Sequence, residues 1–331
     1  MPGTQVFTYV NFGKETVRGT PVAPTRQFYD DGVGVLTIDA GLNFHEAENT
    51  GRRYRTRRDT STTEDVALKF ATSSGVGYDD LVIPVSQIKG GLTGVGGAAD
   101  KTWTGTPSAT AANAPESYSV DIGDDVQNWR CQYTMLESFK ISAGIGDVTQ
   151  LEMDGFAQRA VKVAKATPAI NAAIKIPGDL WTIKFATTFA GLAGASISTN
   201  FLQAFEFEMQ TGLKWRHYLD GQLYGAQHVE TDLAWTIDLT VESTALAISE
   251  FYDKSIANTM SFIRLKATGP VLGGSNYSAQ IDSPVLYEVP EIISGESGSD
   301  GINLYKVKAH GADDGTNGIS IILVNSLAAL P

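Results

Sequence analysis

The run Asp232-Leu233-Ala234-Trp235-Thr236-Ile237-Asp238-Leu239-Thr240-Val241-Glu242 decides how the chain is read. Leu233, Trp235, Ile237, Leu239 and Val241 fall on one side, and Asp232, Thr236, Asp238, Thr240 and Glu242 on the other. That period of two marks a β-strand with one buried and one wet face. An echo stands at Asp65-Val66-Ala67-Leu68-Lys69-Phe70, where the same Asp-apolar-Ala-apolar opening begins another alternating run. The chain therefore reads as built twice from one plan.

On either side of this run, Phe205, Phe207 and Met209 oppose Glu206, Glu208 and Gln210, and Leu36, Ile38, Ala40, Leu42 and Phe44 alternate with polar neighbours, so both segments read as strands. Further strands are expected at Tyr118 to Ile122, Trp129 to Thr134, Glu137 to Ser142, Val148 to Met153, Trp181 to Phe185, Met260 to Ala267, Tyr277 to Ile281, Val285 to Val289, Ile302 to Ala309 and Ile319 to Val324. Leu213 to Leu219 is expected to pair with the strand before it. Helix is confined to a short helix or turn near Tyr78 to Val82 and a segment capped by Ser243 and running to about Asp253. Residues 73–115, with Gly90, Gly91, Gly94, Gly96 and Gly97, read as loops. Residues 1–34 show no period and read as an extended arm that a partner must order. The resulting division is an arm (1–34), a β domain (35–165), a linker (166–179) and a second β domain (180–331).

A chain of 331 residues accommodates two domains of about 150 residues each and buries ample core without metal or disulfide. The net charge of -12 argues against general nucleic-acid binding, which draws its affinity from Lys and Arg on phosphates. The single Cys131 excludes an internal disulfide and a Cys-rich zinc site. No apolar run is long enough to span a bilayer, and Met1 to Val10 has no signal-peptide pattern, so the chain is expected in a cytoplasm or in a particle assembled there.

No catalytic constellation assembles. His45, His217, His228 and His310 are scattered, and His217 reads as a structural residue on the face of Leu213, Trp215 and Leu219. G-x-S-x-G and Walker A motifs are absent, and the glycines at 90–97 precede no helix that would aim a dipole at phosphate. Asp313-Asp314-Gly315-Thr316-Asn317 reads as a turn rather than a Ca²⁺ loop. No enzyme activity, cofactor or metal is expected. The anomaly in this acidic chain is the basic cluster Arg52, Arg53, Arg55, Arg57 and Arg58, at the tip of the hairpin that ends in the Asp65 strand. It reads as a solvated tip, as a phosphate-binding arm, or as a contact that meets an acidic face of the next copy.

The ordered pattern of Gly13-Lys14-Glu15-Thr16-Val17-Arg18-Gly19-Thr20-Pro21-Val22-Ala23-Pro24-Thr25, the arginine hairpin, Ser138-Phe139-Lys140-Ile141-Ser142-Ala143-Gly144 leading into Val148 to Gly155, and the ending at Asn325 resembles the tail tube (major tail) proteins of long-tailed bacteriophages. The resemblance spans nearly the whole chain through soft motifs. It implies β-sandwich or barrel-like domains with a flanking helix, forming rings that stack into a tube around a tape-measure protein and later conduct DNA. It also implies contacts with tail terminator and tail-tip proteins, and a virion location. Two tandem domains would favour a trimeric, pseudo-hexameric ring over a hexamer of single domains. Glu206, Glu208, Asp232, Asp238 and Glu242 are then candidates for an acidic lumen wall or subunit contact, and Arg52 to Arg58 for an inter-ring contact. The alternative is a carbohydrate-binding or adhesive β-sandwich of a phage particle, suggested by Trp103, Trp129, Trp181, Trp215 and Trp235.

Overall fold

A computed structural model describes residues 9–28, 33–39, 42–44, 59–61, 64–72, 74–124, 126–165, 174–290 and 303–331. The first half carries β1 (Tyr9–Lys14), β2 (Arg26–Gln27), β3 (Val33–Asp39), β4 (Leu42–Phe44), β5 (Asp59–Ser61), β6 (Asp65–Ala71), α1 (Val82–Ile88), β7 (Val95–Gly96), β8 (Lys101–Gly105), β9 (Tyr118–Gly123), β10 (Asn128–Gly144), β11 (Gln150–Ala157) and β12 (Arg159–Lys162). The second half carries β13 (Trp181–Ala186), β14 (Leu202–Gln210), β15 (Leu213–Arg216), β16 (Gln227–Glu230), β17 (Ala234–Glu242), α2 (Ala245–Ala247), a π turn (Ile248–Tyr252), α3 (Asp253–Ile256), β18 (Ser261–Leu272), β19 (Ser275–Tyr287), β20 (Leu304–Gly311) and β21 (Ser320–Asn325). The chain is mainly β, with large antiparallel sheets facing one another as a β-sandwich. No pairing among the described residues closes a barrel.

Two long strands organise the layers. The start of β10 pairs with β9 and β12, and its end with β11 and β14; register breaks at 131/134 and 136/138 mark where it passes from one layer to the other. Extra residues at such bulges bend and twist a strand, which lets one segment serve two sheets. Strand β19 does the same, pairing with β18 along its length, with β21 at its start and with β20 at its end.

The partners around these two strands recur. In the first half, β1 pairs with β9, β9 with β10, β10 with β12 and β11, β11 with β6, and β6 with β3. In the second half the same order runs β13 with β18, β18 with β19, β19 with β21 and β20, β20 with β17, and β17 with β14. The alternation agrees: Val66, Leu68 and Phe70 are buried in β6, as are Ile237, Leu239 and Val241 in β17. The matching stretch of burial in β17 thus begins at Thr236, and the literal echo at Asp232 sits too early in the sequence. Between the layers, Phe12 of β1 meets Phe70 of β6 at 5.4 Å, and Trp181 of β13 meets Phe205 of β14 at 4.8 Å. Edge-on aromatic pairs of this kind contribute about 0.5–1.5 kcal/mol beyond their area burial.

The halves are joined edge to edge. Strand β14 continues the first half's layer by pairing with β10 from Ser138↔Gln210 to Gly144↔Ala204. Strand β8, from the stretch expected to be loops, is added to β21, where Trp103 donates from Nε1 to Asn325 Oδ1 at 2.8 Å. A strand from the range 35–165 therefore completes a layer of the range 180–331.

Several local expectations change. Residues 9–28 are ordered by their own chain, because β1 lies in the sheet and buries Tyr9, Val10 and Phe12. Buried Glu15 fixes the turn after β1, accepting from Gly19 N at 2.8 Å, Tyr133 N at 2.8 Å, Ser117 Oγ at 2.8 Å and Ser119 Oγ at 2.9 Å. Arg26, paired with Asp80 at 2.8 Å, anchors the far end. Strand β15 pairs with β16, the next strand in the chain, rather than with β14 before it, because Gly212 at φ +69 turns the chain away. The helix cap is Thr244, whose Oγ1 accepts from Ala247 N at 3.2 Å, while Ser243 N donates to Asn303 O.

Candidate functional site

The continuous layer β3-β6-β11-β10-β14-β17-β20 turns one face to the core and the other outward. Alternation places Lys69, Glu152, Asp154, Lys140, Glu206, Glu208, Asp238, Thr240, Lys306 and Lys308 on the outward face. Register brings them into rows. One row runs Glu152, Lys140, Glu208, Thr236 and His310; the next runs Ser142, Glu206, Asp238 and Lys308.

Like charges stand directly opposite at Glu206 and Asp238, an arrangement that destabilises a sheet unless cations flank it. They do. Lys140 lies 3.1 Å from Glu152 and 3.7 Å from Glu206, and Lys308 stands opposite Asp238. Partial burial alone would lower the Lys140 pKa; the Glu152 hydrogen bond and the charges of Glu206, Glu152 and Glu208 outweigh it and hold the ammonium above its ordinary range. Lys69 meets Asp154 at 3.3 Å, and His310 meets Glu288 at 2.5 Å, which holds the Glu288 carboxyl below its usual range. The face is therefore a laced mixture of both signs with carboxylates in excess.

Of the residues singled out as an acidic wall, Glu206, Glu208 and Asp238 come together here. Glu242 closes the same face at the end of β17 and accepts from Gln203 Nε2 at 2.7 Å. Asp232 does not join them. Thr231 donates to Gly212 O from its amide at 2.8 Å and from its hydroxyl at 2.7 Å, which bends the chain between β16 and β17 and carries Asp232 to a cleft walled by residues 106–113. Arg52, Arg53, Arg55, Arg57 and Arg58 lie outside the described residues. The partners Lys69, Lys140, Glu152, Asp154, Lys306 and Lys308 escaped the sequence reading, although each sits in an alternating run of its own.

A second feature is the hairpin β15–β16, inserted between β14 and β17 as β4–β5 is inserted between β3 and β6. It folds back on the first half. Trp215 packs edge-on against Tyr133 at 4.8 Å and Phe156 at 5.4 Å, and Tyr133 Oη shares a hydrogen with His228 Nδ1 at 3.0 Å. Burial first, then the neighbouring Arg18, lowers the His228 pKa against the opposing pull of Glu230. Glu64 N donates to Leu223 O at 2.7 Å, and His217 turns to Asp65 at 3.2 Å rather than sharing a face with Leu219, which is fully exposed. Trp103 and Trp181 are buried and Trp129, Trp215 and Trp235 are half-buried, with Gly225 close against the Trp215 ring and Gly311 against the Trp235 ring. Asp313 and Asp314 accept from the amides of Gly315, Thr316 and Asn317, the hydrogen bonding of a turn.

A sandwich whose largest layer presents a broad, charge-laced face, with hairpins inserted at its ends, is a scaffold for building surfaces. The model of the family described as phage tail tube protein matches residues 8–300. The chain belongs to that family, and is a structural protein of the bacteriophage virion that self-assembles into the tail tube in association with other tail proteins. Among curated proteins, none matches the chain. No helix among the described residues is long and apolar enough to cross a membrane.

Proposed function

We propose that three copies form a ring in which each chain supplies two equivalent tandem units, and that rings stack into a tube surrounding the tape-measure protein and later conducting DNA into the host. The observation that supports this reading is the recurrence of six strand pairings in the same order in both halves, with the halves already joined through β10 and β14. Repeating that junction from the second half of one copy to the first half of the next generates a head-to-tail contact, which closes a ring if the rotation permits.

In this reading the charged face lines the bore, with Glu206, Glu208, Asp238 and Glu242 among its carboxylates. A wall with carboxylates in excess and its lysines engaged by them gives passing DNA little counterion-release attraction. Conduction then needs no chemistry. The hairpin carrying Arg52, Arg53, Arg55, Arg57 and Arg58 is assigned to contacts between successive rings, assembly to the host cytoplasm, and the tube ends to tail terminator and tail-tip proteins. Negative-stain images of purified protein test the reading. Stacked rings with six lobes are expected, and a strictly monomeric protein at high concentration would contradict it.

A further inference from the structure

The helical segments that come after β6 and β17 hold the same position in the strand order but differ in what covers them. Every residue of α1 is buried. Its cover is the segment 101–117: Gly105 lies so close that an added Cβ would collide with Val85 Cγ1, Glu116 N donates to Ser86 O at 3.1 Å, and Gln87 Nε2 donates to Glu116 O at 2.6 Å. Strand β8 of that segment is fused to the outer edge of β21, so α1 is closed off by the outer layer of the other half. The α2–α3 segment buries Ala247 and Phe251 but leaves Leu246, Ile248 and Ile256 exposed at 42%, 44% and 62%. The link from α3 to β18, residues 257–260, is too short to supply a strand like β8.

Among the described residues, the first half has the complementary open edge. Strand β12 is the counterpart of β21 in the pairing order, and among the described residues it pairs with β10 alone, where β21 is flanked by both β19 and β8. An uncovered strand edge is a ready surface for another chain. This one is basic, with Arg159, Lys162 and Lys165 exposed, and the helical segment presents Asp253 to solvent.

We infer that a second copy of this chain covers the α2–α3 segment, seating Leu246, Ile248 and Ile256 against the β12 edge of its first half. The inference rests on the head-to-tail ring proposed above. It assigns that ring a contact on its outer layer, separate from the charged face and the arginine hairpin. Burying the three apolar side chains supplies the hydrophobic part of the contact, and Asp253 against Arg159 and Lys162 sets its direction.

Cysteine cross-linking tests it, because Cys131 is buried and does not compete. Ile256→Cys and Lys162→Cys variants are mixed, assembled and oxidised. A disulfide dimer containing one chain of each kind is expected, with neither variant linking to itself. In parallel, Leu246→Glu with Ile256→Glu, both at exposed sites, is expected to leave the circular dichroism and melting temperature unchanged and to cut the assembled fraction by roughly tenfold or more. Assembly of both preparations at wild-type yield without the mixed dimer would overturn the contact while leaving the ring standing. Wild-type protein that forms no rings under any condition would overturn the ring and the contact together.

Discussion

The two halves solve one packing problem with the same six strand pairings, yet they treat a buried charge pair in opposite ways. In the first half Asp121 of β9 takes both arms of Arg130 on β10, at 2.7 and 2.9 Å; in the second Arg264 of β18 reaches Asp282 of β19, at 2.6 and 2.7 Å. In each case the carboxylate is buried and stands directly opposite its guanidinium, but the acid and the base have exchanged strands. The position, then, demands a bidentate pair across the two strands and is indifferent to which strand carries the charge. Differences between the halves concentrate elsewhere: β8 lies over α1 and the hairpin β15–β16 over Tyr133, where the halves meet, and the α2–α3 segment leaves Leu246, Ile248 and Ile256 exposed among the described residues.

The largest effect should come from breaking that symmetry. Arg130→Ala strands a buried carboxylate and is expected to cost about 3–5 kcal/mol in chemical denaturation, as Arg264→Ala should in the second half. Exchanging the pair, Asp121→Arg with Arg130→Asp, should recover most of the loss; a double variant no more stable than the single would show that the halves are not interchangeable here. Next in size is Glu15→Ala, which leaves four donors without their acceptor and is expected to cost about 2–4 kcal/mol, opening residues 9–28 to limited proteolysis. The second half keeps its own buried carboxylate, Glu250, which accepts from Lys254, Ser261 and Tyr287, so cleavage should begin in the first.

Trp215→Ala removes two aromatic contacts between the hairpin and the first half, and about 2 kcal/mol of stability should go with them. Amide exchange should rise in 213–230 before it rises in β17. A smaller effect comes from pH. Because the folded His228 pKa lies below its unfolded value, the stability it contributes is present above about pH 6.5 and is lost as pH falls through the folded value. Protection of the hairpin amides, taken relative to their intrinsic exchange rates, should therefore fall on mild acidification and be pH-independent in His228→Gln. Lys140→Ala should change stability by under about 1 kcal/mol, more at low salt than at high, since exposed pairs are screened.

The mainly β character was legible because alternation is local: Val66, Leu68 and Phe70, or Phe205, Phe207 and Met209, announce their strands without any knowledge of partners. What failed to show was long-range or sat where alternation breaks. Strand β10 reads as two strands because Met135 and Leu136 are both buried as it crosses between layers, and β19 splits for the same reason at Asp282, Ser283 and Pro284. Trp103 earns its strand through Asn325, more than 200 positions away, and nothing near it in sequence encodes that contact. The order of residues 9–28 depends on Glu15 finding Ser117, Ser119 and Tyr133. On the charged face the carboxylates were visible as polar positions of a strand, whereas their lysine partners come from other strands and needed the register. Asp232 shows the converse: its parity was right, but the strand had not yet begun.

In the proposed ring each chain supplies two equivalent units. The mass of a single ring, measured by native mass spectrometry on short assemblies together with an end-on image, tests it most directly. Three copies of the 35.4 kDa chain under six lobes is the expected result. Six copies under six lobes would contradict it.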